Sequence, residues 1–278
     1  MKNLLFLSIA TLVFIVSCKE PKPKQKTVES EIINISTDTM VVNEWKHYYD
    51  SVGVDGSFVL YSPTYHMVKV YNPSRANTRL EPASTFKIFN SLVSLETGVV
   101  KDENEILKWD GKRRKYNKLN QDLDMKQAFK YSALWFYQEM ARRIGEEKMQ
   151  YWLDTVGYGN RQIKTAIDKF WLGGGVEITP YEQIVFLESL YNNKLPFSEK
   201  TMEKVKEIML VDDSTYIMRA KTGWTMYNNI SKGWYVGWVE KDGEPYFFAN
   251  VIDIPTDDKA RARIDIVLAI LKSEHIIE

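Results

Sequence analysis

The order of the periodic segments limits most strongly how this chain can fold. Apolar residues gather at strand spacing over Phe58-Val59-Leu60-Tyr61, break at Ser62-Pro63-Thr64, and resume over Met67-Val68-Lys69-Val70-Tyr71. That pattern predicts a β-hairpin. A long central stretch changes to helical spacing, with helices expected at Met125 to Lys130, Leu134 to Ile144, Glu146 to Val156, Pro180 to Tyr191 and Glu199 to Leu210. Thr179-Pro180-Tyr181-Glu182 marks one helix start, with a capping side chain, a proline at the first helical position and an acid in the first turn. Strand patterning returns at Tyr216 to Thr222, Gly233 to Glu240 and Tyr246 to Ile254, with a turn at Lys241-Asp242-Gly243-Glu244. A last helix, Asp258 to Leu271, carries Ile264, Val267, Leu268 and Leu271 on one face. Strands at both ends with helices between them predict an α+β fold: an antiparallel β-sheet flanked by terminal helices, with an inserted, mainly helical lobe. A cleft between sheet and lobe is the expected place for a site.

With 278 residues, 44% of them hydrophobic, the chain can bury one large core or two moderate ones. Lysine plus arginine balance aspartate plus glutamate at 37 each, and the one basic run, Lys112-Arg113-Arg114-Lys115, reads as a solvated loop. No nucleic-acid partner is expected. At the start, Met1-Lys2-Asn3 precedes an almost wholly apolar run from Leu4 to Val16, too short to span a bilayer and laid out as a secretory signal. Ile15-Val16-Ser17-Cys18 resembles the bacterial lipobox, so residues 1–17 are expected to be a signal peptide of lipoprotein type. Lipidation at Cys18 would be the only membrane attachment, and the compartment the bacterial periplasm. Cys18 is also the sole cysteine, which excludes disulfides within the chain. Residues 18–40, charged and proline-containing, are expected to form a flexible tether, leaving 41–278 as the folded domain.

Ser84-Thr85-Phe86-Lys87 is the one place where a serine precedes a lysine by three residues. Pro82 suits the start of a helix and Gly98 its end, so a helix is expected from about Ala83 to Thr97. Ser84 then lies in the first turn, where unpaired N–H groups and the helix dipole favour developing negative charge. Lys87 falls one turn later on the same face. A serine nucleophile needs a nearby base, and a lysine serves if it is kept neutral. Taken alone, the spacing fits a capping serine and a solvated lysine better than a catalytic pair. Lys221-Thr222-Gly223 ends a predicted strand; its glycine permits close backbone approach, and its lysine and threonine can bind an anion. Ser132-Ala133-Leu134 lies at a break between helices, and Tyr158-Gly159-Asn160 in a turn after another.

In this order, and with Phe170-Trp171-Leu172 and Gly233-Trp234-Tyr235-Val236-Gly237-Trp238 between and after them, these strings resemble a class D (oxacillinase-type) serine β-lactamase. That family lies within the penicillin-binding/serine β-lactamase superfamily, and the resemblance covers about residues 45 to 278. It implies hydrolysis of a small-molecule β-lactam through an acyl-enzyme, giving antibiotic resistance. Ser84 would be the acylated nucleophile, and Lys87 would carry carbon dioxide as an N6-carboxylysine, with no metal and no other cofactor. Leu134 and Trp171 would dry the lysine pocket, the Trp171 indole N–H bonding the carbamate. Ser132 would relay a proton toward the leaving nitrogen. The backbone N–H groups of Ser84 and Trp224 would form the oxyanion hole. Lys221, Thr222, Gly223 and Arg263 would bind substrate; Arg263 is preferred to Arg261 because counting back from the chain end matches the family's arginine. The family usually has valine where this chain has Leu134, a position that touches the carbamate.

Other chemistries fit less well. The only histidines, His47, His66 and His275, form no metal-ligand spacing. There is no Gly-x-Ser-x-Gly elbow, and Ser132-Ala133-Leu134 stands where class A β-lactamases have Ser-Asp-Asn. Gly173-Gly174-Gly175 lacks the lysine of a phosphate loop. Two alternatives stay open: a β-lactam sensor that acylates without turnover, and a penicillin-binding transpeptidase, which typically has asparagine where Leu134 sits. Substrate choice is expected to depend on a loop from Thr225 to Lys232.

Overall fold

A computed structural model describes residues 38–211, 216–227 and 229–278. The expected signal peptide, Cys18 and all of the expected tether up to residue 37 lie outside these residues. The chain enters through β1 (Asp38–Val41) and a short helix α1 (Lys46–Asp50), then forms the hairpin β2 (Gly56–Ser62) and β3 (Met67–Tyr71) and a one-turn helix α2 (Pro73–Ala76). The lobe follows: α3 (Lys87–Glu96), α4 (Met125–Lys130), α5 (Leu134–Ile144), α6 (Glu146–Val156), α7 (Pro180–Tyr191) and α8 (Glu199–Ile208). The chain returns to the sheet as β4 (Ile217–Tyr227), β5 (Ile230–Lys241) and β6 (Glu244–Asp253), and closes with α9 (Ala262–Ser273).

The six strands lie in the order β1-β3-β2-β6-β5-β4, joining the two ends of the chain in one sheet. All neighbours are antiparallel except β1, which runs parallel to β3 with Asp38 opposite Met67. The α+β architecture expected from the sequence is therefore present, with a parallel edge strand added. Asp38–Met40, read from the sequence as the last of the tether, supply most of that strand. The four-residue strand is too short, and too exposed, to show an alternating pattern.

Side chains alternate across the strands, so β2, β5 and β6 each feed two cores. On the lobe side, Val59, Tyr61, Trp234, Val236, Trp238, Phe247 and Val251 pack with the apolar faces of α3, α5 and α7. On the other side, Phe58, Leu60, Tyr235, Phe248 and Ile252 pack against Trp45, Tyr49 and the α9 residues Ile266, Val267, Ile270 and Leu271. A sheet covered on both faces explains why β6 reads as a nearly continuous apolar run. Its one polar core residue, Asn250, accepts from the Tyr49 hydroxyl at 2.8 Å and donates to the Arg263 carbonyl at 2.8 Å, fixing α1 and α9 to the same point of the sheet. Two lobe helices start in full capping boxes, Asp124 with Gln127 on α4 and Thr179 with Glu182 on α7. Each such cap contributes about 1 kcal/mol.

Two boundaries differ from expectation. The final helix is preceded by a 3-10 turn, Asp257–Arg261, before α9 proper. The stretch Thr225 to Lys232, expected as a loop, is mostly strand: β4 and β5 stay paired from Thr225 opposite Lys232 to Tyr227 opposite Ile230. Asn229, with φ of +61°, supplies the left-handed residue that such a tight hairpin requires. No helix of the described residues is long and apolar enough to cross a membrane.

Candidate active site

The Ser84 turn is built just ahead of its helix. Ala83–Phe86 form a 3-10 turn that passes into α3 at Lys87, and the helix stops before Gly98 at φ +67°. Ala83 is fully buried with φ of +50°, a left-handed conformation that costs a residue with a Cβ about 1–2 kcal/mol. Surrounding contacts must hold such a residue in place. The Ala83 N–H donates to the Trp171 carbonyl at 3.0 Å, Leu80 and Ile178 exchange two backbone bonds, and the Trp234 indole donates to the Glu81 carbonyl at 2.9 Å. The turn is thus tied to the lobe and to β5. A 3-10 turn brings residues three apart into line, and Lys87 Nζ lies 2.7 Å from Ser84 Oγ.

Lys87 is only 1% exposed, with its Nζ 5.3 Å from the centre of the Tyr137 ring. Burial, and then the charge of Lys221, hold its pKa well below the usual lysine value, so the amine is driven toward its neutral form. Trp171 is fully buried and stacks on Phe86 with ring centres 5.3 Å apart. Its Nε1–H has no hydrogen-bond partner among the described residues. An orphaned buried donor costs about 1–3 kcal/mol, which marks the position as one that awaits an acceptor.

Leu134 is the first residue of α5 and, at 36% exposed, stands at the rim. The Tyr137 ring, one turn further along α5, walls the lysine amine, and Phe86, the residue before the lysine, stacks on the buried Trp171. Ser132 is half-buried with φ of +55°, at the turn where α4 gives way to α5. Phe129, three residues earlier, has its ring centre 5.3 Å from Lys221 Nζ, which brings this turn alongside β4.

Lys221, Thr222, Gly223 and Trp224 follow one another on the edge strand β4. A Cβ on Gly223 would sit 3.0 Å from the Pro82 carbonyl oxygen and 3.2 Å from Thr85 Cγ2. Only glycine lets β4 lie this close to the nucleophile turn. Two residues on, Thr225 Oγ1 donates to the Leu172 carbonyl at 2.6 Å, tying β4 also to the Trp171 segment. Lys221 is 5% exposed; burial, and then the charge of Arg263, push its pKa down to about 7. Its Nζ donates to the Thr222 carbonyl at 3.2 Å.

Of the two candidate arginines, Arg261 faces solvent and pairs with Asp265 at 3.1 Å. Arg263 lies inward, its guanidinium 5.8 Å from the centre of the Trp224 ring and its Cδ within 3.1 Å of where a Cβ on Gly233 would be. Burial lowers its pKa from the usual arginine value, and its Nε has no partner among the described residues. Lys87, Lys221 and Arg263 take part in none of the ion pairs among the described residues. Two basic side chains without a carboxylate partner, Lys221 and Arg263, near a neutral-leaning Lys87 make a site for an anion.

Tyr158-Gly159-Asn160 serves the scaffold. Gly159, at φ +53°, leaves no room for a side chain, since a Cβ would meet the Glu177 carbonyl oxygen at 2.2 Å. Asn160 Oδ1 accepts from the Glu177 N–H at 3.0 Å, holding together the loop that carries Trp171. The basic run is a loop as expected, with Arg114 anchored by Asp110 and lying 5.7 Å from the Trp135 ring. Sequence reasoning did not single out Gln183, whose Nε2 donates to Thr85 Oγ1 at 3.0 Å beneath the nucleophile turn. The available signal was a polar residue directly before the apolar run Ile184 to Leu187 of a well-capped helix.

The penicillin-binding protein transpeptidase domain family matches residues 20–272. Beta-lactamase OXA-48 of Klebsiella pneumoniae is 44% identical over 234 residues, which are 84% of this chain and 88% of that protein. The crystal structure of the class D β-lactamase YbXI from Nostoc superposes with a TM-score of 0.81 at 43% identity, covering 83% of this chain and 98% of that one. The chain belongs to the class D β-lactamases. A class D β-lactamase from Sebaldella termitidis gives a TM-score of 0.82 at 36% identity, over 87% of this chain and 100% of that one. Within the family frame, the serine, both lysines and Arg263 lie near the middle of β4, while Leu134 occupies the rim.

Proposed function

We propose that Ser84 opens the β-lactam ring and is then freed by water, with Lys87 handling its proton. The chain is a serine β-lactamase of class D and hydrolyses β-lactams. The observation that carries the residue roles is the buried, neutral-leaning Lys87 amine 2.7 Å from Ser84 Oγ. Ser84 Oγ bonds to the lactam carbonyl carbon as its proton passes to Lys87. The ring C–N bond breaks, and Ser132 relays a proton to the departing nitrogen. The N–H groups of Ser84 and Trp224 take the oxyanion, which Gly223 makes reachable by bringing β4 onto the turn. Water then adds to the ester carbonyl, the bond to Ser84 Oγ breaks, and the serine recovers a proton. Lys221, Thr222 and Arg263 hold the substrate carboxylate, Arg263 through a planar fork suited to that group.

Carboxylated at Nζ by carbon dioxide, Lys87 supplies a carboxylate general base in place of an amine. The partnerless Trp171 N–H and the aromatic walls fit such a group. Steady turnover of a chromogenic cephalosporin, rising with added bicarbonate, is the expected result. A burst that stops at one equivalent would favour the non-hydrolytic sensor. In the same assay KM should rise with pH above about 7, because Lys221 loses its proton there and with it the charge that attracts the carboxylate. A KM that stays flat through neutrality would remove Lys221 from substrate binding.

Export into the periplasm by residues 1–17, with a lipid anchor at Cys18, and a role in β-lactam resistance complete the reading. The layout of the apolar run before Cys18 supports it. Cys18→Ala should move the protein from the membrane fraction to the soluble fraction; an unchanged partition would rule out the anchor.

A further inference from the structure

The nucleophile turn is braced from beneath by a side chain that the substrate does not touch. Gln183 on α7 is fully buried, and its Nε2 donates to Thr85 Oγ1 at 3.0 Å. That hydroxyl donates in turn to the Pro82 carbonyl at 2.7 Å, which also accepts the Thr85 N–H at 3.0 Å. These bonds close a loop around left-handed Ala83 and Ser84. Strand β4 rests on the same atoms, because Gly223 abuts the Pro82 oxygen and Thr85 Cγ2. The residue after Gly223 is Trp224, whose N–H is one half of the proposed oxyanion hole. The Ser84 N–H, the other half, lies inside the loop. Spacing between the two donors therefore follows the height at which the Pro82 to Thr85 turn is held.

We propose that Gln183 is a positioning residue for the oxyanion hole, acting through Thr85; the inference rests on the acyl-enzyme reading above. Its chemistry is directional. The Thr85 hydroxyl has one proton, committed to the Pro82 carbonyl, so the group behind it must be a donor, as an amide is and an ionised carboxylate is not. The Tyr158 hydroxyl faces Thr85 and Gln183, whose pull partly offsets the burial that raises its pKa. Among the described residues neither that hydroxyl nor Gln183 Oε1 closes a well-aligned hydrogen bond, so the Thr85 bond is the directed contact of the amide.

The test compares Gln183→Met and Gln183→Glu with the unaltered protein. A chromogenic cephalosporin reports acylation, and infrared difference spectra report the ester carbonyl of the acyl-enzyme. Gln183→Met should acylate roughly tenfold to a hundredfold more slowly, as expected when reacting groups are misplaced by a fraction of an ångström. Its ester carbonyl should absorb at higher frequency, because weaker donors polarise it less. Leu187→Val, a buried change on the same helix, should lower the melting temperature without moving that frequency. Should Gln183→Met fail to fold, Gln183→Glu decides. Its acylation rate relative to the unaltered protein should recover as pH falls and the carboxyl regains a proton to donate. A Gln183→Met that acylates at the original rate with an unmoved carbonyl band, or a pH-independent Gln183→Glu ratio, overturns the proposal. An unaltered protein that forms no acyl-enzyme would instead overturn the parent reading, and the proposal with it.

Discussion

Lys87→Met is expected to lower β-lactam turnover by roughly 10²–10⁴-fold, the usual contribution of a general base, while raising the melting temperature. Both effects come from one buried amine. Its Nζ is the basic atom 2.7 Å from Ser84 Oγ, so its loss leaves the serine hydroxyl with no group to take its proton. The same amine sits at 1% exposure beside the charge of Lys221, which is why its pKa is driven well below 10.5. The unfolded chain binds that proton at any pH below 10.5, whereas the folded chain resists it. Stability of the unaltered protein therefore rises with pH until the unfolded value is reached. Methionine fills similar space without the charge. The gain in melting temperature should be largest at low and neutral pH and shrink toward pH 10.5. Turnover that survives within a few-fold would remove Lys87 as base, and a lowered melting temperature at neutral pH would contradict the burial cost.

A second large effect is expected at Gly237, far from any reacting atom. Gly237 on β5 faces Ala220 on β4. An added Cβ would lie 2.1 Å from the Arg219 carbonyl oxygen and 2.8 Å from Ala220 Cα. Those are backbone atoms, which cannot rotate away, so the edge strand itself must move. At about 3 kcal/mol, the upper range of overpacking, Gly237→Ala should lower the melting temperature by roughly 6–12 °C. Ala220 immediately precedes Lys221, so the displacement is passed along β4 to Lys221 and Trp224. Turnover should fall about tenfold or more, as misplacement of catalytic groups predicts. Thermal melts and turnover measured on the same preparation check both; an active, fully stable Gly237→Ala protein would show that β4 yields freely at this point.

Much of this architecture was legible because both periodicities are strong. The lobe helices from Met125 to Tyr191 fall at the expected bounds, with two starts marked by the caps Asp124 and Thr179 and two ends by Gly145 and Gly157. Ser84 and Lys87 could be paired from spacing, because a helical turn dictates which residues meet. Two residues apart at the start of the last helix, Arg261 faces solvent while Arg263 lies inward, a difference that helical geometry dictates. What was hidden depends on tertiary contact. Left-handed Ala83 has no sequence signature, being held by Trp171, Trp234 and Gln183 from distant parts of the chain. Leu134 looks like a core residue by type, and only the path of α5 places it at the rim. The long β4–β5 hairpin was cut short because Thr225 to Lys232 mixes polar and apolar residues, as an edge pair with one open face allows.

The parallel strand β1 also lies as far from the substrate-binding strand as the sheet allows. It is one border of the sheet, and β4, which bears Lys221 and Trp224, is the other. Five strand spacings of about 4.8 Å put roughly 24 Å between them. Asp38, where the described residues begin, thus stands on the flank opposite the groove. A surface linkage made through β1 should therefore hold the enzyme in place without fencing the mouth through which antibiotic enters and product departs.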